Sequence, residues 1–432
     1  MPAKSVGLKA DPQGRPTRPT RIPRDNRDRP RAHPMPSLAF PLICALLRGE
    51  SPAWPADAGD TAIEAFLRDA RYHGVTPLLD ARFRSSASNA VSPVPGAGSR
   101  VDDAGRTGST THWPDAILRA CHEDALVQAV HEHQRRTELV RVLSAFAASG
   151  IAPLLFKGSA LAYTHYATPA LRPRADSDIL VAPQDRGAAL ALLRELGYRR
   201  TSGPASTYVG YQTSTTRIDL HGNAWGIDLH WRLSNAQSFA WLFTFEELAA
   251  ASVPIDALGP NARGLGEAHA LAIALLHRAA GNALVEPGSG DRLIWLHDFR
   301  VLADAMDDHA LARFVGLAGE KRFAAIAIEG LRQCAGSMPS AHLHTLIASL
   351  ERSPMATSGA GFLRAGRLRR EWLEFRAVPT MRARLACLAG RVLPDASYMR
   401  ERFPDAQGRA LPLLHVQRWF GRLVPRRSAR ER

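Results

Sequence analysis

Lysine is almost missing from this chain. Lys4, Lys9, Lys157 and Lys321 are the four present in 432 residues, and arginine carries nearly all the positive charge. Together with the abundance of alanine, this reflects a compositional bias of the genome. Cysteine is equally scarce. Cys44, Cys121, Cys334 and Cys387 stand far apart with no C-x-x-C pair, which argues against a zinc knuckle or a disulfide framework and fits a reducing cytoplasm. No run of about 18 uninterrupted apolar residues occurs, so no membrane span is expected. A Walker G-x-x-x-x-G-K-[ST] loop and a G-x-S-x-G nucleophile elbow are both absent, which removes the P-loop and serine-hydrolase classes.

What is present is ordinary globular material, 45% hydrophobic and 22% charged, with room for two or three domains or one domain with a helical extension. The net charge is +14, and residues 1–34 hold nine basic residues against three acidic ones, +6 of that total. This Pro/Arg-rich stretch has almost no aliphatic residues and is expected to be a disordered basic tail. It is either an arm for nucleic acid or a dispensable tail, with Met35 as an alternative start. The basicity of the remainder favours an anionic substrate such as a nucleotide without identifying one.

Along the chain, Leu38–Leu47 resembles the apolar region of a signal peptide but contains Pro41 and lacks a small-residue cleavage site, so a short amphipathic helix is expected. Residues 60–84 read as two short helices broken at Gly74, and 85–112 as a flexible insertion rich in Ser, Gly, Ala and Pro. A long helix is expected from Pro114 to Ala148. Strands follow at Ile151–Phe156 and Asp178–Ala182, with a helix at Ser159–Tyr166 between them and another at Pro183–Leu196. Tyr198–Thr201 and Thr207–Gln212 read as further short strands, and Arg217–His221 with Ile227–Leu233 as a hairpin around Gly222-Asn223. Beyond Phe239 the pattern is helical. The expected class is α+β: a helical region over 35–149, a small mixed sheet in a core at 150–238, and helices over 239–425.

The residues that carry chemistry cluster in Leu154–Val181, LLFKGSALAYTHYATPALRPRADSDILV. Asp176 and Asp178 stand at i and i+2, so a strand projects both carboxylates from one face. Mg²⁺ takes hard oxygen ligands, commonly one or two carboxylates plus substrate phosphates. Gly158 lets backbone approach a phosphate, and Ser159 offers an N–H and a hydroxyl at a helix start; an ordinary turn with Ser159 as N-cap reads equally from the same residues. Lys157, kept in a chain that has discarded lysine, points to a need for a compact ammonium beside phosphate. Asp228 in IDLHWRL is a third carboxylate, with Asp219 in the same IDLH context as its competitor. His230 reads as a half-buried strand histidine. His122, His131 and His133 do not share a helix face suited to zinc, and His277, His297 and Asp298 read as packing and surface residues of helices.

The run KGSALAYTHY…LRPRADSDILV, followed by IDLHWRL, resembles the uncharacterised bacterial nucleotidyltransferases of the DNA-polymerase-β-like superfamily. Their pattern is Gly-Gly/Ser, a spacer, Asp-x-Asp/Glu in an apolar strand, and a third acid on a later strand. Gly158-Ser159, Asp176, Asp178 and Asp228 occupy those places, and HGVTPLL, RLIWLHDF and LPDASYMRERF add to the likeness over roughly residues 38–425. The spacer after Ser159 is longer than in many small members, and 85–112 has no obvious counterpart.

The resemblance implies an Mg²⁺-dependent transfer of a nucleoside monophosphate from an NTP to an acceptor, which could be a small molecule, a sugar, a peptide or a protein. Asp176 and Asp178 would hold the metal, and Gly158 and Ser159 the β- and γ-phosphates. Asp228 would activate the acceptor or complete a second metal site. Lys157, Arg172 and Arg174 would neutralise phosphate charge, although either arginine could equally be a solvated surface residue. Two other classes compete: a catalytically silent protein of this fold that binds a partner or peptide, and an RNA-binding protein using its basic arm. The globular part shows no RNA-binding motif of the usual kinds.

Overall fold

Apolar residues recur through 115–148 at three- and four-residue spacing, and the chain there forms one 34-residue helix, α4 (Asp115–Ala148), about 50 Å long. Its first half buries Ile117 and Cys121 among helices, and its second half lays Leu139, Val142, Leu143 and Phe146 on the sheet. The helix therefore joins two cores.

The computed structural model describes residues 38–90, 113–202, 210–284, 291–394, 396, 399–400, 403 and 408–420. The basic tail expected at 1–34 lies outside them. Ahead of α4 come α1 (Ala39–Leu47), α2 (Asp60–His73) and α3 (Thr76–Ala90). Helix α3 carries on into the insertion expected to begin at 85, and the Ser85 and Ser86 hydroxyls bond back to the Ala81 and Arg82 carbonyls at 2.9 and 3.1 Å, an arrangement that a helix tolerates. Residues 91–112 lie outside the description.

Among the described residues the sheet is mixed and has seven strands in the order β3-β4-β5-β2-β1-β7-β6. These are β1 (Leu154–Leu155), β2 (Asp176–Leu180), β3 (Arg199–Ser202), β4 (Gln212–Ile218), β5 (Ala224–His230), β6 (Ser252–Pro254) and β7 (Arg263–Leu265). Between them lie α5 (Gly158–Thr164), α6 (Arg186–Glu195), α7 (Gln237–Ala240) and α8 (Phe245–Ala250). The first strand is shorter than its apolar run, and β2 starts at Asp176, two residues earlier than expected, so both acids lie within the strand. Strands β6 and β7 come from beyond residue 238, where the sequence reading closed the core. β7 runs parallel to β1 and supplies the backbone partner that its outer edge needs.

After the sheet come α9 (Glu267–Leu284), α10 (Leu293–Ala305), α11 (Asp308–Glu320), α12 (Ala324–Ser337) and α13 (Ala341–Arg352). Ile43, Phe66 and Leu79 from before the sheet share one core with Phe299, Leu302 and Leu331 from after it. The first and last helical regions thus pack together around the sheet.

Glu138 ties α4 to the sheet. Its carboxylate accepts from Arg141 at 2.7 and 3.0 Å, from Arg217 of β4 at 2.7 and 2.9 Å, and from the Tyr198 hydroxyl at 2.6 Å. Burial favours the neutral acid, yet the bonds from Arg141, Arg217 and Tyr198 outweigh it and hold the pKa down at about 2, against an ordinary 4.5. A depressed pKa stabilises the fold above the unfolded value, and the gain is lost as pH falls through the folded one. Between pH 5 and pH 2 the fold is therefore expected to lose about 2–3 kcal/mol through this group. Urea midpoints across that range test it: the wild type should fall more steeply than Glu138→Gln, and parallel curves would contradict the assignment.

Candidate active site

The acidic face is built by strand register. β2 and β5 run parallel, with Asp178 beside Asp228 and Asp176 beside Gly226. Alternation along each strand puts Asp176, Asp178, Asp228 and His230 on one face. Ligand atoms of Asp178, Asp228 and His230 all lie within 4.8 Å of one another. On the next strand Gln212 Nε2 donates to Asp228 Oδ2 at 3.2 Å.

Around Asp178 the contacts are specific. Lys157 Nζ donates to Oδ1 at 2.8 Å, His230 Nε2 meets the same oxygen at 3.0 Å, and the Asp178 amide donates to Ser159 Oγ at 2.7 Å. Burial alone would raise this carboxyl's pKa, but the Lys157 charge and the bonds from His230 and Lys157 outweigh it and hold the group ionised, well below the usual range. An ionised carboxylate only accepts, so His230 carries its proton on Nε2. Burial, and then the Lys157 charge, lower its pKa, which leaves a neutral ring whose buried Nδ1 has no hydrogen-bond partner. Both contacts fall on Oδ1, and Oδ2 is the oxygen available to a cation.

Asp176 behaves oppositely. Burial, then the charges of Asp178 and Asp228, push its pKa up to about 7 despite Lys157 and Arg135. Three carboxylates packed on one face, one of them driven toward protonation, form a donor set that suits a hard divalent cation.

The turn before α5 is tightly held. Lys157 has φ 52° and ψ −144°, a conformation that costs a non-glycine residue about 1–3 kcal/mol. From this turn its ammonium crosses to Asp178. A Cβ on Gly158 would lie 3.1 Å from Arg172 Cζ, so a side chain there would have to push the guanidinium back by a few tenths of an ångström. Gly158 and Ser159 are both buried. Both frame the site, and the Ser159 hydroxyl oxygen accepts from the β2 backbone at Asp178.

Neither arginine expected to face phosphate reaches solvent with its side chain. Arg172 donates from Nε and Nη2 to Asp298 of α10 at 2.7 and 2.6 Å, and from Nη1 to the Pro173 carbonyl at 2.7 Å. Arg174 Nη2 donates to Glu132 of α4 at 2.8 Å and to the Tyr163 hydroxyl at 3.2 Å. Their partners lie 126 and 42 residues away along the chain, beyond the view of local spacing. They brace the segment leading into β2.

Other residues enter the site only through the tertiary structure. Arg135 of α4 donates to the Arg174 carbonyl at 2.8 Å, and burial followed by the Arg174 charge lowers its pKa to about 10. The Tyr166 hydroxyl donates to Asp298 at 2.7 Å and meets His297 Nδ1 at 3.1 Å, so the LHDF part of RLIWLHDF braces Arg172. His277 of α9, exposed to solvent, lies within the field of Lys157, which lowers its pKa. Helical spacing gave no hint that His277 lies within electrostatic range of Lys157 and Asp178.

Asp219 is no rival to Asp228. Its Oδ1 accepts from the His221 and Asn223 amides and its Oδ2 from Asn223 Nδ2 and Trp225 Nε1, at 2.9 to 3.0 Å. Against the opposing effect of desolvation, these donors hold its pKa down at about 2. It closes the β4–β5 turn.

No curated protein matches the chain. The family model described as "Uncharacterised nucleotidyltransferase" matches residues 59–338, a span running from α2 to the end of α12 that contains the acidic face, Lys157 and the Arg172–Asp298 pair. The chain belongs to this nucleotidyltransferase family.

Proposed function

We propose that the protein transfers a nucleoside monophosphate from an NTP to an acceptor, in the manner of the DNA-polymerase-β-like superfamily. The observation that carries this reading is the β2–β5 register, which sets Asp178 beside Asp228 with Asp176 on the same face. Asp228 turned toward Asp178 supports it over a catalytically silent, partner-binding role.

Mg²⁺ held by these carboxylates would supply positive charge against the triphosphate. With such a cation bound Asp176 would be held ionised, and Asp178 would present Oδ2 while Lys157 and His230 hold Oδ1. Lys157 is shared between the carboxylate and the phosphates. Asp228 takes the proton from an acceptor hydroxyl as that oxygen bonds to the α-phosphorus and the bond to the bridging oxygen breaks, releasing pyrophosphate. Gly158, Ser159, Arg172 and Arg174 keep the turn and β2 in place. The four cysteines are buried thiols, which suits a reducing cytoplasm, and no helix among the described residues is long and apolar enough to cross a membrane.

Calorimetry with each NTP and Mg²⁺ tests the reading. The wild type is expected to bind, and Asp176→Ala with Asp178→Ala to lose binding while keeping its circular dichroism. Equal binding by the double variant would overturn it. Mass spectrometry of products formed with candidate acceptors then identifies the substrate.

A further inference from the structure

Residues 364–432 hold seventeen arginines against six acidic residues, a net +11, whereas residues 35–363 carry a net −3. This segment lies beyond the family match, which ends at 338. Just ahead of it comes the short α14 (Ala360–Leu363), and its described helices include α15 (Arg367–Ala377), α16 (Met381–Val392) and α17 (Leu411–Phe420).

Helix α16 is docked the wrong way round for an ordinary surface helix. Its buried side carries the small residues Ala383 and Cys387, while Met381, Leu385 (62% exposed), Leu388 and Val392 face solvent. Steps of four, three and four residues put these side chains on one stripe. Trp419 of α17 continues the stripe: its Nε1 donates to the Val392 carbonyl at 3.1 Å, and its ring is partly in solvent. Arg382 is exposed at the margin. Helix α15 repeats the pattern, with Leu368 (86% exposed) and Trp372 at i and i+4 and the Arg376 guanidinium 4.7 Å from the Trp372 ring centroid.

An outward apolar stripe bounded by tryptophan and embedded in a strongly cationic segment matches one environment best. The boundary between headgroups and acyl chains takes aliphatic and indole side chains, while anionic headgroups take the arginines. Nucleic acid would use the charge but leave the Leu and Val side chains without a partner. A second copy of the chain would cover the stripe but bring +11 against +11. We propose that α16, with the adjoining Trp419, docks the protein on an anionic phospholipid surface, the helix lying in the plane of the membrane.

Co-sedimentation of the full chain with phosphatidylcholine vesicles, with and without phosphatidylglycerol, tests the proposal. Anionic lipid is expected to raise partitioning by at least about tenfold, and added salt to reverse it. Leu385→Glu with Leu388→Glu, both on the exposed side, should cut partitioning about tenfold and leave Mg²⁺–NTP affinity unchanged. Hydrogen exchange on the unaltered chain gives a second readout, with protection expected over 381–392 when anionic vesicles are added. Lack of anionic-lipid binding, or full binding by the double variant without protection at 381–392, would overturn the proposal. So would a stripe whose disruption changes only RNA binding or the mass in light scattering.

Discussion

Changing Asp228 to asparagine is expected to slow nucleotidyl transfer by about 10²–10⁴-fold, the usual worth of a positioned general base, with much less effect on Mg²⁺–NTP binding. The carboxamide keeps the size of the side chain and an oxygen for the contact from Gln212, so β5 should hold its register with β2. What the variant loses is a group able to take the acceptor's proton. On the function proposed above, Asp176, Asp178 and Lys157 remain to hold the nucleotide. Pyrophosphate release in the presence of an acceptor mixture measures the effect, beside calorimetry with Mg²⁺–NTP. If transfer persists while binding falls, Asp228 serves the nucleotide rather than the acceptor, and the roles assigned along this face must be exchanged.

Removing Asp298 is expected to destabilise the fold by about 3–5 kcal/mol, because it leaves a buried guanidinium without its carboxylate. Arg172 loses two charge-assisted bonds at 2.6 and 2.7 Å, and the Tyr166 hydroxyl loses its acceptor. The damage reaches the site, since Gly158 rests on the Arg172 guanidinium. Urea unfolding of Asp298→Ala measures the loss. An apolar pair, Arg172→Met with Asp298→Leu, should recover much of it, because two charges no longer need to be desolvated. A cost for Asp298→Ala of less than about 1 kcal/mol, typical of exposed pairs, would show that the contact is not the brace described above.

These two residues also show how far sequence reasoning reaches. Asp228 was visible as a third acid because it sits in an alternating strand with a clear period. Choosing it over Asp219 was a harder matter, as both lie in the same IDLH context. The difference arises from pairing: Asp219 falls in the β4–β5 turn, where four donors converge on it, whereas Asp228 falls opposite Asp178. Asp298 is visible as part of a motif, and helical spacing reads it as a packing or surface residue. Helical spacing gives the face of a side chain on its own helix, not the element that packs against that face.

Local chemistry determined the long α4 helix, the two helices before it, the Asp-x-Asp strand, the glycine turn with its single lysine, and the α+β order of helices, sheet and helices. Those features follow from the 3.6- and 2-residue periods and from glycine and proline as breaks, which act over a few residues. Only the tertiary structure decided that strands from 252–265 complete the sheet and that Arg172 and Arg174 turn inward to Asp298 and Glu132. The same holds for His230 backing Asp178 and for the apolar side of α16 facing outward. Each of these depends on contacts between segments tens to hundreds of residues apart, where burial and charge pairing override local propensity and no single stretch carries both partners.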